Sequence, residues 1–430
     1  LSDSLTQAPN ALPIESAAVR DASSRFWLLA AGIVGAGLAW DYLAWPVFHD
    51  FLGAFDFCTE PGHNVDLCAS PFRDFTRVYY RMAQVLLTNK TPIFGYYYPP
   101  FFALLLVPLT KIPNAAALVV WGAVEVALTL ALLLIPARQF FRSGRRAEAG
   151  GYMALVALSQ PVLHNFRWGQ VSVLITMALL GSVMLYERRH RGWAAVLLAF
   201  ACAVKAYPAL FGLYFLMRRD LRFLITTAAW VAVFAFVVPA FALGPKETVA
   251  FYEAGSRMVA GEVWVIRDNV GSQNFATAAM HLVFWGRQDD GWRRFFAACA
   301  TLIAAAGLVA LSLSRRRIES GAWEPALALL FLLLPAELET CWPHYFVFLP
   351  FCQVVAWNGA PAAGAGRWVV RGLIVASVVL STTPLFRWVN YFPGFYGNGL
   401  LAWADLILIA PVAWQLVANR STADSTAAPS

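Results

Sequence analysis

After a polar opening over residues 1–25, the chain runs as a succession of apolar stretches separated by short polar or basic connections. The stretches fall at about 26–48, 114–137, 149–163, 171–186, 192–205, 207–217, 223–243, 295–313, 322–337, 344–357, 368–383 and 399–418. Several are shorter than the roughly 20 residues a helix needs to cross a bilayer core. Those must borrow flanking polar residues, or line a cavity where short or broken helices are tolerated. The pattern predicts an all-α polytopic membrane protein with about twelve transmembrane helices. The run at 101–113, FFALLLVPLTKIP, is too short and too rich in proline to span, and is expected to lie in the outer interface as a helix. No cleavable signal peptide is apparent. The organisation expected is one membrane domain over 26–418 between a mobile cytoplasmic tail at 1–25 and a second at 419–430. Outer loops are expected at 49–113, carrying interfacial helices, and at 244–294, with a shorter outer segment at 384–398.

Composition supports that picture. Of 430 residues, 60% are hydrophobic and 13% charged, against about 45–50% and about 25% in soluble domains. Intrinsic disorder lies at the opposite extreme and is excluded. The net charge of +7 is first a topology signal. The clusters RQFFRSGRR (138–146), ERRHR (187–191), RRDLR (218–222) and RRR (315–317), with Arg367 and Arg371, all occupy short connections. With the N-terminus inside, about twelve crossings place every one of them in the cytoplasm. Arg287, Arg293 and Arg294 sit in an outer loop and depart from the rule, from which long loops are largely exempt. A competing reading makes 273–286 a half-crossing re-entrant helix. Polar chemistry then concentrates at the outer, periplasmic or extracellular face of the cytoplasmic membrane. Seventeen Trp, 14 Tyr and 32 Phe fit interfacial belts or an aromatic-lined cavity.

The outer loops carry the candidate chemistry. Cys58 and Cys68 share one exported loop, which suits a disulfide, with two free thiols as the alternative. Cys202, Cys299 and Cys352 fall in apolar segments and read as core residues. Asp74 opens the stretch DFTRVYYR; either it caps that helix or pairs with Arg77, or it serves as a general base whose pKa a lipid-rich cavity raises. Tyr79 and Tyr80 follow, able to face membrane or substrate. GYYYPPFFALLLVPL (95–109) reads as a membrane anchor. Arg167 and Gln170 stand at the outer end of one span. Lys205, Tyr207 and Pro208 stand at an outer hairpin, where a lysine marks an anionic partner or snorkels to the interface. Glu339 and His344 occupy another outer mouth, His344 suited to a phosphate oxygen or a proton shuttle. Gln273 and Asn274 either hydrogen-bond a sugar or cap the helix that follows. Glu125 and Asp405 are intramembrane acids for which structural and functional roles are equally open. No nucleotide-binding or zinc-protease signature is present, and no cysteine spacing suits a metal. An outer-face enzyme without nucleotides needs an activated substrate carried by the membrane, and a polyprenyl phosphate asks for Lys, Arg or His at the interface.

At this point the motifs resemble glycosyltransferase family 87, polyprenol-phosphate-mannose-dependent mannosyltransferases of the C-type (GT-C) fold. The blocks that carry the resemblance are, in order, DFTRVYY, YYPPFFALLLVPL, RWGQVSVL, VKAYPALFGLYFLMRR and CWPHYFVFLP, spread over about 74 to 350. Ser172 and Ala206 stand where the family commonly has asparagine and proline. The resemblance implies Asp74 as catalytic base, with Lys205 neutralising the donor phosphate and His344 contacting it. It matches Gln170 to the family's Gly-Gln turn. Arg167 is assigned to the phosphate as well, and Gln170, Tyr79, Tyr80, Tyr207, Gln273, Asn274 and Glu339 to substrate.

The expected activity is inverting transfer of a sugar, most simply mannose, from a polyprenyl-phosphate donor to a lipid, glycolipid or glycan acceptor. The expected partners are that donor, the acceptor and membrane lipid, with no nucleic acid. No cofactor is expected and no metal ligands are assigned, with a divalent metal left open. The alternatives are a transporter or flippase for a lipid-linked sugar, and a non-catalytic scaffold.

Overall fold

Long runs of Leu, Ala, Val and Phe without strand-breaking punctuation satisfy their backbone groups internally as helices, the arrangement a hydrocarbon surrounding demands. The computed structural model describes residues 26, 28–33, 35–36, 72–267, 272–284, 289–361, 363–382 and 399–418. Among these there is no β-strand, only an isolated bridge between Ser159 and Thr382. The tails at 1–25 and 419–430, residues 37–71 with Cys58 and Cys68, Arg287, and the outer segment 384–398 lie outside the described residues.

Four helices are long and apolar enough to cross a membrane: Asn114–Arg142, Leu221–Leu243, Asp290–Leu313 and Leu400–Ala418. A fifth is reached if the bent pair Gln160–Trp168 and Ser172–Glu187 counts as one span. Their outward faces expose Val119, Ile225, Phe241, Leu302, Val309 and Trp414, apolar surface of the kind lipid covers. Shorter apolar helices, including Arg191–Val204 and Phe275–Phe284, pack among them. The protein is therefore a helical membrane protein, with fewer spans of full length among the described residues than the count read from the apolar segments.

Several apolar stretches are broken. The predicted 149–163 segment is two helices, Arg146–Ala157 and Gln160–Trp168. The chain breaks at Leu158–Ser159 because Ser159 caps the second helix, accepting from the Val162 N–H, and Pro161 sits in its first turn. The 344–357 segment starts as a tight turn, Pro343–Phe348, before the Leu349–Asn358 helix. The 101–113 run is helical over Pro100–Leu106 and continues as a 3₁₀ turn, Val107–Lys111. The 192–205 stretch ends as a helix at Val204, so Lys205 lies in the turn beyond it with extended backbone angles.

The two acids of the helical interior differ. Glu125 accepts a hydrogen bond from Asn165 Nδ2 at 2.8 Å. Both carboxyl oxygens of Asp405 are buried without a hydrogen-bond partner among the described residues.

Candidate active site

Four chain breaks deliver the polar side chains that share one cavity of about 640 Å³. The first is the start of the Asp74 helix. Residues Phe75–Tyr80 form a π-helical turn, whose i→i+5 bonding widens the spiral by about one residue. Asp74 and Tyr79, five residues apart, consequently face the same side, and both line the cavity. The Asp74 side chain makes no capping bond to this helix. Its Oδ2 instead accepts from Gln170 Nε2.

The second break is the Trp168-Gly-Gln turn. Gly169 ends its helix with φ +63°, the left-handed region that a side chain disfavours. A Cβ there would also lie 2.8 Å from Phe72 Cβ and 2.9 Å from Phe75 Cβ, so the glycine is required twice over. Asn165 fixes the far side of the turn. Its carbonyl accepts from Gln170 N, and its Oδ1 accepts from Ser172 N and Val173 N, capping the next helix. Gln170 is thereby presented to Asp74.

The third break is the turn after Val204. Lys205 Nζ is buried and has no hydrogen-bond partner among the described residues. It sits 4.0 Å from the ring centroid of Tyr345, 5.0 Å from Tyr98 and 5.9 Å from Tyr207, a cage of π-faces that favours the cation. The fourth break is the Pro343–Phe348 turn, which carries His344. Both ring nitrogens of His344, and Nδ1 of His164, are likewise buried without a partner. Their rings stack at 5.4 Å and 24°, and His164 stacks on Trp168 at 5.6 Å.

Buried polar groups without partners are costly unless something else satisfies them. Here an amine and two imidazoles line one cavity, and burial, with Lys205 and His164 beside it, holds His344 well below the usual imidazole range. Burial pushes Asp74 up to about 6, partly offset by the Gln170 hydrogen bond and by Arg73, Lys205 and Arg77. Burial pushes Lys205 down to about 7 against the pull of Cys341 and Asp74. Each group thus titrates near neutrality, in the range where proton transfer and phosphate binding can be tuned.

Of the residues singled out from sequence, Asp74, Tyr79, Gln170, Lys205, Tyr207, Glu339 and His344 line this cavity. Arg167, Tyr80, Gln273 and Asn274 do not. Arg167 offers its carbonyl to Phe72 N, and Arg73 lines the wall instead, its guanidinium 5.2 Å over the Trp168 ring. Tyr80 packs against Phe75. Gln273 and Asn274 clamp the cavity loop from behind: Gln273 N donates to the Cys341 carbonyl, and Asn274 Nδ2 to that of Glu339. Asn274 Oδ1 also caps its helix, accepting from Thr277 N at 2.7 Å.

Sequence reasoning missed Arg73, Tyr97, Tyr98, His164, Trp168 and Tyr345 on the cavity wall. Tyr97 and Tyr98 belong to the run taken as a mere anchor. The signal for His164 was the Ser159-Gln-Pro161 helix start, which moves His164 out of a continuous span. Among the described residues no three His, Cys, Asp or Glu side chains are grouped to hold a metal ion.

The cavity thus brings a carboxylate, a lysine and two histidines together in a helical membrane protein. The model of glycosyltransferase family 87 matches residues 96–338, and the chain belongs to that family. It is a glycosyltransferase. Among curated proteins it is 24% identical to a polyprenol-phosphate-mannose-dependent alpha-(1-2)-phosphatidylinositol mannoside mannosyltransferase of Mycobacterium tuberculosis H37Rv, over 91% of this chain and 88% of that one. It is 26% identical to the corresponding pentamannoside mannosyltransferase of M. tuberculosis CDC 1551, over 91% of this chain and 87% of the relative. A pentamannoside mannosyltransferase of Mycolicibacterium smegmatis is 28% identical over 45% of this chain and 43% of its own length. No solved structure matches.

Proposed function

We propose that this glycosyltransferase moves a mannosyl group from a polyprenyl-phosphate donor to a glycolipid of the phosphatidylinositol mannoside type, with inversion, at the outer face of the cytoplasmic membrane. The observation that carries the proposal is the shared cavity: Asp74, Lys205, His344 and His164 line it together, none of the three nitrogen-bearing groups fully partnered among the described residues. Donor and acceptor follow the names of the relatives that match across nine-tenths of the chain.

In the proposed step Asp74 takes the proton of an acceptor hydroxyl. The oxygen forms a bond to the anomeric carbon as the bond from that carbon to the phosphate oxygen breaks. Polyprenyl phosphate leaves with its charge held by Lys205 and the two imidazoles. From a β-linked donor, inversion gives an α-mannoside. Trp168, Trp342 and the tyrosines supply apolar and stacking surface for a sugar and a lipid neck.

The placement at the outer face rests on the helix ends. The Ser172–Glu187 helix has Gln170 beyond its start and Arg188 beyond its end, and the Arg191–Val204 helix starts at Arg191 and leads into Lys205. The basic turns therefore lie opposite the cavity, and the positive-inside rule assigns them to the cytoplasm. A GT-C arrangement of about twelve crossings, with Pro100–Leu106 in the interface, belongs to this proposal.

Purified protein incubated with radiolabelled polyprenyl-phosphate mannose and a phosphatidylinositol mannoside should yield a labelled glycolipid. Translocation of the donor without transfer would establish the flippase alternative, and no reaction with any glycolipid would overturn the proposal.

A further inference from the structure

Tyr79, Tyr98 and Gln170 form a chain of hydrogen bonds that ends on Asp74. The Tyr79 hydroxyl donates to Gln170 Oε1 at 2.6 Å, and Gln170 Nε2 donates to Asp74 Oδ2. The Tyr79 and Tyr98 hydroxyls are 2.7 Å apart. A phenol has one proton. Since Tyr79 spends its proton on Gln170, the Tyr98 hydroxyl must be the donor in that pair, and the chain is polarised toward the carboxylate from end to end.

The polarity has a reason. An amide turned the other way would set its oxygen against an ionised carboxylate, which can only accept. A hydroxyl donor on the amide oxygen holds the productive orientation before substrate arrives. One carboxylate oxygen, Oδ2, is then committed, and Oδ1 accepts no hydrogen bond from the described residues, on a side chain that lines the cavity. Tyr98 also reaches the other half of the site, because its ring is one face of the cage around Lys205.

We propose that Tyr79 and Tyr98 are positioning residues for the transfer reaction: through Gln170 they orient the Asp74 carboxylate and reserve Oδ1 as the proton acceptor, and through the Tyr98 ring they hold this arrangement in register with the Lys205 ammonium. This rests on Asp74 being the base, and it reassigns Tyr79 and Gln170 from substrate contact to support of the base.

The test is the pH dependence of transfer from polyprenyl-phosphate mannose to a phosphatidylinositol mannoside by purified variants. The groups that bear on Asp74 are Arg73 and Arg77 on its own segment, Lys205 in its turn, the Tyr79 and Tyr98 hydroxyls, and Tyr345 from the 343–348 turn. Tyr79→Phe leaves all of these but one hydroxyl in place. The Gln170 hydrogen bond lowers the Asp74 pKa, so loosening it raises that pKa and moves the acid limb to higher pH, by roughly one unit. At neutral pH kcat should fall about 10- to 100-fold, with KM for the donor nearly unchanged. Tyr98→Phe keeps the ring against Lys205 and should shift the acid limb less, with the basic limb unmoved.

Gln170→Glu is a second variant in case Tyr79→Phe does not fold. It sets two carboxyl groups side by side and should move the acid limb up further. An unmoved acid limb in whichever of these variants folds, or a loss confined to KM, would overturn the proposal. Asp74→Asn in the same assay separates the two levels. If it is inactive while Tyr79→Phe keeps the parent acid limb, the relay fails and the base stands. If it turns over normally, both fail.

Discussion

Lys205 carries a large part of the electrostatics: a buried ammonium, bonded to nothing among the described residues and ringed by three tyrosine faces. Its proton is held weakly, near pH 7, while Asp74 releases its own near pH 6. In the proposed reaction Asp74 works deprotonated, so kcat/KM should fall as pH drops below about 6. Lys205 holds the phosphate in its protonated form in that reaction, so kcat/KM should also fall as pH rises above about 7. A narrow bell in kcat/KM is the expected outcome. In the complex the donor phosphate stabilises the ammonium, so the basic limb of kcat should lie at higher pH. Lys205→Arg, permanently charged, should remove the basic limb; a basic limb that persists there would assign it to another group. Lys205, His344 and Gln170 were legible in the sequence because each sets a polar group at the end of an apolar run, whereas Asp74 lies in a polar loop and was singled out by the resemblance of DFTRVYY. Tyr98 and Tyr345 were not, since aromatic residues in an aromatic-rich chain give no local signal. Their importance arises from rings meeting across long sequence separations, as with Tyr207 and Tyr345.

At the level of elements, the site is made by interruptions of helices. The π-helical turn after Asp74, the left-handed Gly169, the turn at Lys205 and the Pro343–Phe348 turn each expose a polar residue that a continuous helix would bury elsewhere. Long uninterrupted helices such as Asn114–Arg142 and Leu400–Ala418 were placed well from hydropathy alone, because one-sided or all-round apolarity over 19 or more residues has few other solutions. The break at Leu158–Ser159 fell inside the predicted 149–163 stretch, with the Ser159-Gln-Pro161 helix start as its sequence signal. Gly169→Ala tests this level. It combines a left-handed backbone, costing on the order of 1–2 kcal/mol, with contacts below 3.0 Å to Phe72 and Phe75. The variant should melt at a lower temperature and lose transfer activity as Gln170 is displaced. An unchanged melting temperature with full activity would contradict the role given to the turn.

For the whole molecule, basic side chains tie the opposite end together. Arg145 pairs with Glu324, Arg191 with Asp220 and Arg218 with Glu187, while Arg317 donates to the carbonyls of Gln415 and Leu416 at the end of the last described helix. That end and the cavity end lie on opposite sides of the helices that join them, a polarity visible in the sequence as basic connections alternating with Asp, Lys and His motifs. In a cysteine-free background, Tyr97→Cys on the cavity wall should react with a membrane-impermeant maleimide in intact cells, whereas His190→Cys should react only after permeabilisation. The reverse pattern would put the cavity in the cytoplasm. The central claim is that this cavity transfers the sugar with Asp74 as base. Its most direct measurement is the rate of mannosyl transfer from polyprenyl-phosphate mannose by folded Asp74→Asn protein. The account predicts a loss of about 10²- to 10⁴-fold with the donor still bound; turnover near that of the parent protein would contradict it.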